Sequence, residues 1–287
     1  MRTFSVTELN ILEALAQFQY LTTSQMVRLG ISKSRKTIYP HLARLSKQHR
    51  PAIGRVHYTV SPINGRPEST VYLTRDGVKW LIESGYEPEA IKYPKQTTVN
   101  FASDYRHRLW TVDFFVSVKN WADRSQYELG ALEYYFQQSA TNRTNKGGRS
   151  LAVTRIDIDL EGVSYIMPDG IGLVERENTS PVFIFFEQHN GKDTKRFLQQ
   201  VHGHVLAIRE GIPAIKYGVK HAGQYVSNRV FCCFEHESCM QASMHRLAKS
   251  EHFRPYLRFF YFRTTKSINE GVFEEGWYLA SGHEAGI

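Results

Sequence analysis

Met167-Pro168-Asp169-Gly170, followed by Val182-Phe183-Ile184-Phe185-Phe186-Glu187-Gln188-His189, is the part of this sequence that decides how its second half folds. Val182 to Phe186 is an unbroken apolar and aromatic run, which reads as a strand covered on both faces. Glu187 is expected where that strand leaves the core. The Pro-Gly pair predicts a bend that presents Asp169, with Ser164 to Val174 as the neighbouring strand. Two carboxylates brought together repel unless one is protonated or both hold a cation. Oxygen-only ligation of that kind suits Mg2+ or Mn2+. The pattern points to metal-dependent cleavage of a phosphodiester, against the plainer alternative of two solvated turn carboxylates.

The chain has 287 residues, 41% of them hydrophobic, enough for two ordinary cores. No apolar stretch approaches the roughly 18 residues of a membrane span, and no secretory leader is recognisable, so a cytoplasmic protein without membrane insertion is expected. The three cysteines, Cys232, Cys233 and Cys239, form neither a disulfide framework nor a zinc pattern and read as buried thiols.

Charge is unevenly placed. Residues 1–86 hold 12 Lys and Arg against 5 Asp and Glu, whereas the remainder holds 24 against 23. No acid occurs between Glu13 and Glu68, a window that contains nine cationic residues. A field of one sign over that length attracts a polyanion, where an ordinary solvated face would intersperse acids.

Within this segment Val6 to Phe18 has a helical apolar stripe, and Thr22 with Gln25 forms a capping-box signature opening a helix to about Leu29. Gly30 ends it. A third helix spans about Lys33 to Gln48 and buries Ile38, Leu42 and Leu45. Lys33, Ser34, Arg35, Lys36, Thr37 and His41 cluster at or near its start, and Arg44 follows. This is the order of a helix-turn-helix whose recognition helix leads with basic and hydroxyl groups suited to phosphates and base edges. Extended segments at Ile53–Val60 and Ser69–Leu73, joined through the turn signal Asn64-Gly65, place Arg55 and Arg66 on a hairpin. A helix from Arg75 to Ser84 closes a winged-helix domain over residues 1–86, and 87–100 reads as a linker.

Beyond the linker, a helix is expected over Phe101–Trp121. Strands follow at Glu128–Phe136, Ile156–Leu160, Ser164–Val174 and Val182–Glu187, then a helix at Thr194–Arg209, a strand at Arg229–Phe234, a helix at Ser238–Lys249 and a strand at Leu257–Arg263. Helix, strands, helix, strand is the order of a PD-(D/E)xK restriction-endonuclease-like core over residues 101–269, so the fold class is α+β or α/β. The final stretch, 270–287, reads as a loose tail. His202 and His204 lie two apart on a helix and should point in opposite directions, as surface or core filler. Tyr165 is expected on the same face as Asp169. Ala140 to Ser150 reads as a basic loop able to contact single-stranded DNA.

The Pro-Asp-Gly bend, the Glu-x-His after an apolar strand, His107 on the preceding helix and Glu133 on an intervening strand together resemble the replication-relaxation family, which includes MobC-type conjugative relaxases. The resemblance spans nearly the whole chain, although its motifs are short. It implies a relaxase that nicks one strand of duplex DNA at an origin of transfer, and works with single-stranded DNA, an accessory mobilisation protein, a coupling protein and a secretion channel. By position it implies that Asp169 and Glu187 are metal ligands, with Glu133 completing the shell or orienting water. Where nucleases often place a lysine, and this family an aspartate, this chain has His189, with Lys192 and Lys195 beyond. His189 is thus expected to bind metal or move a proton, and Lys192 or Lys195 to stabilise the phosphorane. The alternatives are a DNA-binding regulator of replication or transcription with an inactive nuclease fold, and a defensive or repair endonuclease that cuts both strands or unspecific DNA.

Overall fold

The computed structural model describes residues 4–47, 49–56, 67–94, 104–137, 152–219, 226–265 and 273–287. Arg66, the tip of its hairpin and the basic stretch from Ala140 to Ser150 lie outside them. The chain is a mixed α+β protein of two compact units, Met1–Val112 and Asp113–Ile287. The division falls within the helix Tyr105–Arg124, beyond the expected linker.

The first unit begins with α1 (Val6–Phe18), whose capping box pairs Ser5 with Glu8. The expected capping box at Thr22 opens α2 (Thr23–Arg28): the Thr22 amide donates to Gln25 Oε1 at 2.8 Å, and the Gln25 amide to Thr22 Oγ1 at 3.2 Å. Between them is a strand that periodicity does not predict, β1 (Tyr20–Thr22). After α3 (Arg35–Ser46) come β2 (Ile53–Arg55), β3 (Thr70–Leu73) and α4 (Arg75–Glu83). The three strands form an antiparallel sheet in the order β1-β3-β2. Ile11, Leu12 and Leu15 of α1 and Ile38, Leu42 and Leu45 of α3 are buried, as their helical spacing requires. α4 lies so close to the strands that a Cβ on Gly77 would collide with the backbone carbonyl oxygen of Ala52.

In the second unit α5 (Tyr105–Arg124) is followed by β4 (Glu128–Tyr134), a two-stranded hairpin of β5 (Ile156–Leu160) and β6 (Val163–Ile166), then β7 (Gly170–Glu175) and β8 (Val182–His189). The remaining elements are α6 (Thr194–Arg209), α7 (Ile212–Lys216), β9 (Ser227–Phe234), α8 (Glu237–Lys249) and β10 (Phe260–Thr264). Five strands make one sheet in the order β10-β9-β8-β7-β4. β4, β7 and β8 run antiparallel, whereas β8, β9 and β10 run parallel, so β8 is where strand polarity changes.

One face of this sheet packs on α6 and α8 through Phe183, Phe185, Val230, Phe234 and Phe262. The other carries Phe114 of α5, stacked on Phe186 at 4.4 Å between centroids, with Phe231 and Trp277 around it. Gly170 and Gly172 admit the Phe115 ring on that face; a Cβ on Gly172 would stand 2.8 Å from it.

Two expectations fail here. The segment Ser164–Val174 is not one strand: it breaks at Met167–Asp169, with β6 pairing only to β5 and β7 entering the large sheet. Tyr165 is therefore on a different sheet from Gly170, 46% exposed, under the Arg155 guanidinium at 3.7 Å. Nor is the end of the chain loose. Phe273 and Trp277 are buried against Phe114 and Phe231, and Tyr278 exchanges two backbone hydrogen bonds with Phe262 of β10. Among the described residues no helix is long and apolar enough to cross a membrane.

Because the atom facing Gly77 is backbone, relief requires moving α4 bodily. Gly77→Ala is expected to destabilise the first unit by about 1–3 kcal/mol, read as a lower urea midpoint. An unchanged midpoint would show that α4 is free to shift.

Candidate functional site

The Met167–Asp169 break follows from the register of β7 on β8 together with Pro168. Gly170 pairs with Phe186 in the antiparallel register, so two steps further would set Pro168 opposite Gln188. Proline has no amide to give to a ladder, and the chain bends away. The Gln188 amide then donates to Asp169 Oδ2 at 2.7 Å, while the Asp169 carbonyl accepts the Tyr135 amide at 3.1 Å. Asp169 is thus pinned between the extensions of β4 and β8, next in register to Glu187.

β8 does not leave the core at Glu187. It continues to His189, and Glu187, Gln188 and His189 are 6%, 7% and 8% exposed. A buried carboxylate needs donors, and one comes from α6. His204, itself 1% exposed, places Nε2 at 2.7 Å from Glu187 Oε1. Burial pushes the His204 imidazole down to about 3, so it is neutral near neutral pH. A carboxylate only accepts, which puts the His204 proton on Nε2. Nδ1 is buried without a hydrogen-bond partner among the described residues. The expectation that residues 202 and 204 point apart holds: His202 turns outward, to His252 at 3.3 Å and Glu161 at 3.7 Å.

His204 was legible only in part. Phe197, Val201 and His204 mark one buried stripe of α6, which identifies a core-facing histidine but not the carboxylate it meets across the layer. Its role as filler gives way to a bond with a proposed site residue.

The other proposed catalytic groups are dispersed. Glu133 accepts the Tyr217 hydroxyl at 2.6 Å and lies 3.7 Å from Lys216 Nζ. Burial first and Glu133 second push the Tyr217 phenol up, so it remains a donor. His189 packs against the rings of Phe197 and Phe234 with Nε2 buried and without a partner among the described residues, and burial followed by the Arg196 charge pulls its imidazole below the ordinary value. Lys192 and Lys195 are exposed around Asp193, whose carboxylate caps α6. Asp169 and Glu187 offer hard oxygen donors of the type that Mg2+ and Mn2+ take. Among the described residues no three His, Cys, Asp or Glu side chains are grouped to hold a metal, so the structure does not bring Glu133 or His189 into a common shell with that pair.

In the first unit Lys33, Arg35 and Lys36 are exposed at the start of α3, Arg55 is exposed on β2, and His41 is half-buried. Ser34 and Thr37 are used within the chain: Ser34 caps α3 by accepting the Thr37 amide, and the Thr37 hydroxyl donates to the Ser34 carbonyl at 2.7 Å. Arg44 is engaged too, its Nε donating to Glu8 Oε1 at 2.5 Å. Burial pushes the Glu8 carboxyl up, but Arg44 and the Ser5 amide outweigh it and hold the group below its ordinary range.

Comparison with protein-family models, curated proteins and solved structures finds no match for this chain.

The unfolded chain takes up a proton at His204 near the ordinary value of 6.5, whereas the folded one resists until about 3. Its contribution to stability is therefore present above pH 6.5 and lost as pH falls between those values, at up to about 1.4 kcal/mol per pH unit. Urea unfolding across this range should show a shallower acid decline in His204→Gln than in the wild type. Parallel declines would mean that His204 is not held neutral.

Proposed function

We propose that this chain is a DNA-binding, strand-nicking protein of the replication-relaxation type, a relaxase acting at an origin of transfer in plasmid mobilisation. The observation that carries the cleavage reading is that Asp169, at the bend before β7, accepts the backbone amide of Gln188, the residue next to Glu187 on β8. A restriction-endonuclease-like core accounts for the order of α5, β4, β7, β8, α6 and β9, with the β5–β6 hairpin as an insertion. Mg2+ or Mn2+ held by Asp169 and Glu187 would supply charge neutralisation at the phosphate and a water of lowered pKa. Exposed Lys192, Lys195 and Arg196 then bind phosphate oxygens beside the end of β8. His189 replaces the motif lysine in sequence, but its buried ring makes it a support for α6 instead of a solvent-side acid.

Support for DNA binding comes from the first unit. Three helices followed by β2 and β3 have the order of a winged helix-turn-helix, and α3 offers Lys33, Arg35 and Lys36 beside a helix N-terminus, where phosphate is favoured. A second reading, a DNA-binding regulator with a silent nuclease fold, is favoured by one specific set of bonds. Asp169 completes a strand ladder, Glu187 is tied to His204, and Glu133 to Tyr217.

Supercoiled plasmid bearing the cognate transfer origin separates the two. The relaxase reading expects open circles broken at one position of one strand, dependent on Mg2+ or Mn2+ and lost in Asp169→Ala and Glu187→Ala. Origin DNA that is shifted but uncut with either metal establishes the regulator, and linear product makes the enzyme a double-strand endonuclease.

For the first unit, replacing Lys33, Arg35 and Lys36 by alanine should weaken binding to cognate and unrelated duplex alike. The slope of log K against log salt should become shallower by about 0.9 for each phosphate that the variant no longer neutralises. An unchanged slope in fluorescence anisotropy would remove α3 from the interface.

A further inference from the structure

We propose that His204 is the positioning residue of the Asp169–Glu187 pair, and that one turn of α6 aligns both carboxylates. This role presupposes that the two residues ligate a cation.

A glutamate side chain can turn about its terminal torsion. Its carboxylate plane is defined once one oxygen is held. In this chain the holder is His204, whose Nε2 stands 2.7 Å from Glu187 Oε1 inside the core. The imidazole is itself held: Phe185 meets it edge to face at 5.4 Å and Phe260 at 6.3 Å. Locking Oε1 from the helix side fixes the direction of the second oxygen.

The preceding residue ties the same helix turn to Asp169. A Cβ on Gly203 would collide with Ile166 Cγ2, so α6 rests directly on the end of β6. From Ile166 the chain passes through Met167 and Pro168 into Asp169, which is pinned by the Gln188 amide. Gly203 therefore sets the seat of the strand that delivers one carboxylate, and His204 orients the other. Outer partners of ligating groups commonly control metal affinity by about 10–100-fold.

The test is Mn2+ binding to the full chain without DNA, followed by the electron paramagnetic resonance of free Mn2+, with circular dichroism as the check on folding. Asp169→Asn and Glu187→Gln should abolish saturable binding. His204→Leu, which has no donor, should weaken it about 10–100-fold, and His204→Gln, whose amide can reach Oε1, should restore most of the loss. If His204→Leu does not fold, His204→Asn takes its place, because its shorter amide keeps a polar group in the pocket without reaching the carboxylate. Wild-type affinity in a folded His204→Leu or His204→Asn chain overturns the positioning role while leaving Asp169 and Glu187 as ligands. Absence of saturable Mn2+ binding in the wild type, or its persistence in the Asp169 and Glu187 variants, removes the ligand reading and the role of His204 with it.

Discussion

Burial of the Glu187 carboxylate is the constraint around which the second unit is arranged. An ionised group at the end of an apolar strand costs several kcal/mol if it is left without donors. The chain meets that cost by running β8 onward through Gln188 and His189 and by laying α6 across it so that His204 faces the carboxylate. That placement requires α6 to approach the β5–β6 hairpin more closely than any side chain at position 203 would allow. Pro168 has no amide to give to a continuing ladder, and where the chain bends away the Asp169 carboxylate accepts the Gln188 amide. Around this one buried side chain stand a glycine, a histidine, a proline and an aspartate, all of them in segments outside β8.

Much of the fold was legible wherever its cause was local. The bounds of α1 and α6 match those expected from the sequence, and the capping box of α2 follows from Thr22 and Gln25. The run from Phe183 to Phe186 is buried on both faces, as an uninterrupted apolar strand should be. What could not be read depended on partners far away in the chain. β1 has three residues and exists because Leu21 pairs with Val71. The division of Ser164–Val174 follows from the register between β7 and β8, which the Pro-Asp-Gly sequence does not encode alone.

The candidate site divides the same way. Asp169 and Glu187 were identifiable because a bend and an apolar run announce them. Glu133, Tyr217 and Lys216 form a separate set whose grouping depends on α7, a short helix opened by Gly211 in a left-handed conformation and continued by Pro213. In the first unit sequence correctly placed Lys33, Arg35 and Lys36 at the helix start, but the hydroxyls of Ser34 and Thr37 prove to be absorbed by the helix cap. Small polar side chains near a helix N-terminus have backbone amides within immediate reach, and that local demand competes with any external ligand.

The packing of residues 273–287 has a consequence for solubility. β10 ends the five-stranded sheet, and an edge strand carries a row of backbone donors and acceptors that can template pairing with another chain. Phe260, Tyr261 and Phe262 would make such an edge hydrophobic. Tyr278 occupies the backbone donor and acceptor of Phe262, and Trp277 covers Phe231 on the neighbouring strand. The segment therefore acts as an edge guard, closing against self-association a strand whose own sequence would invite it.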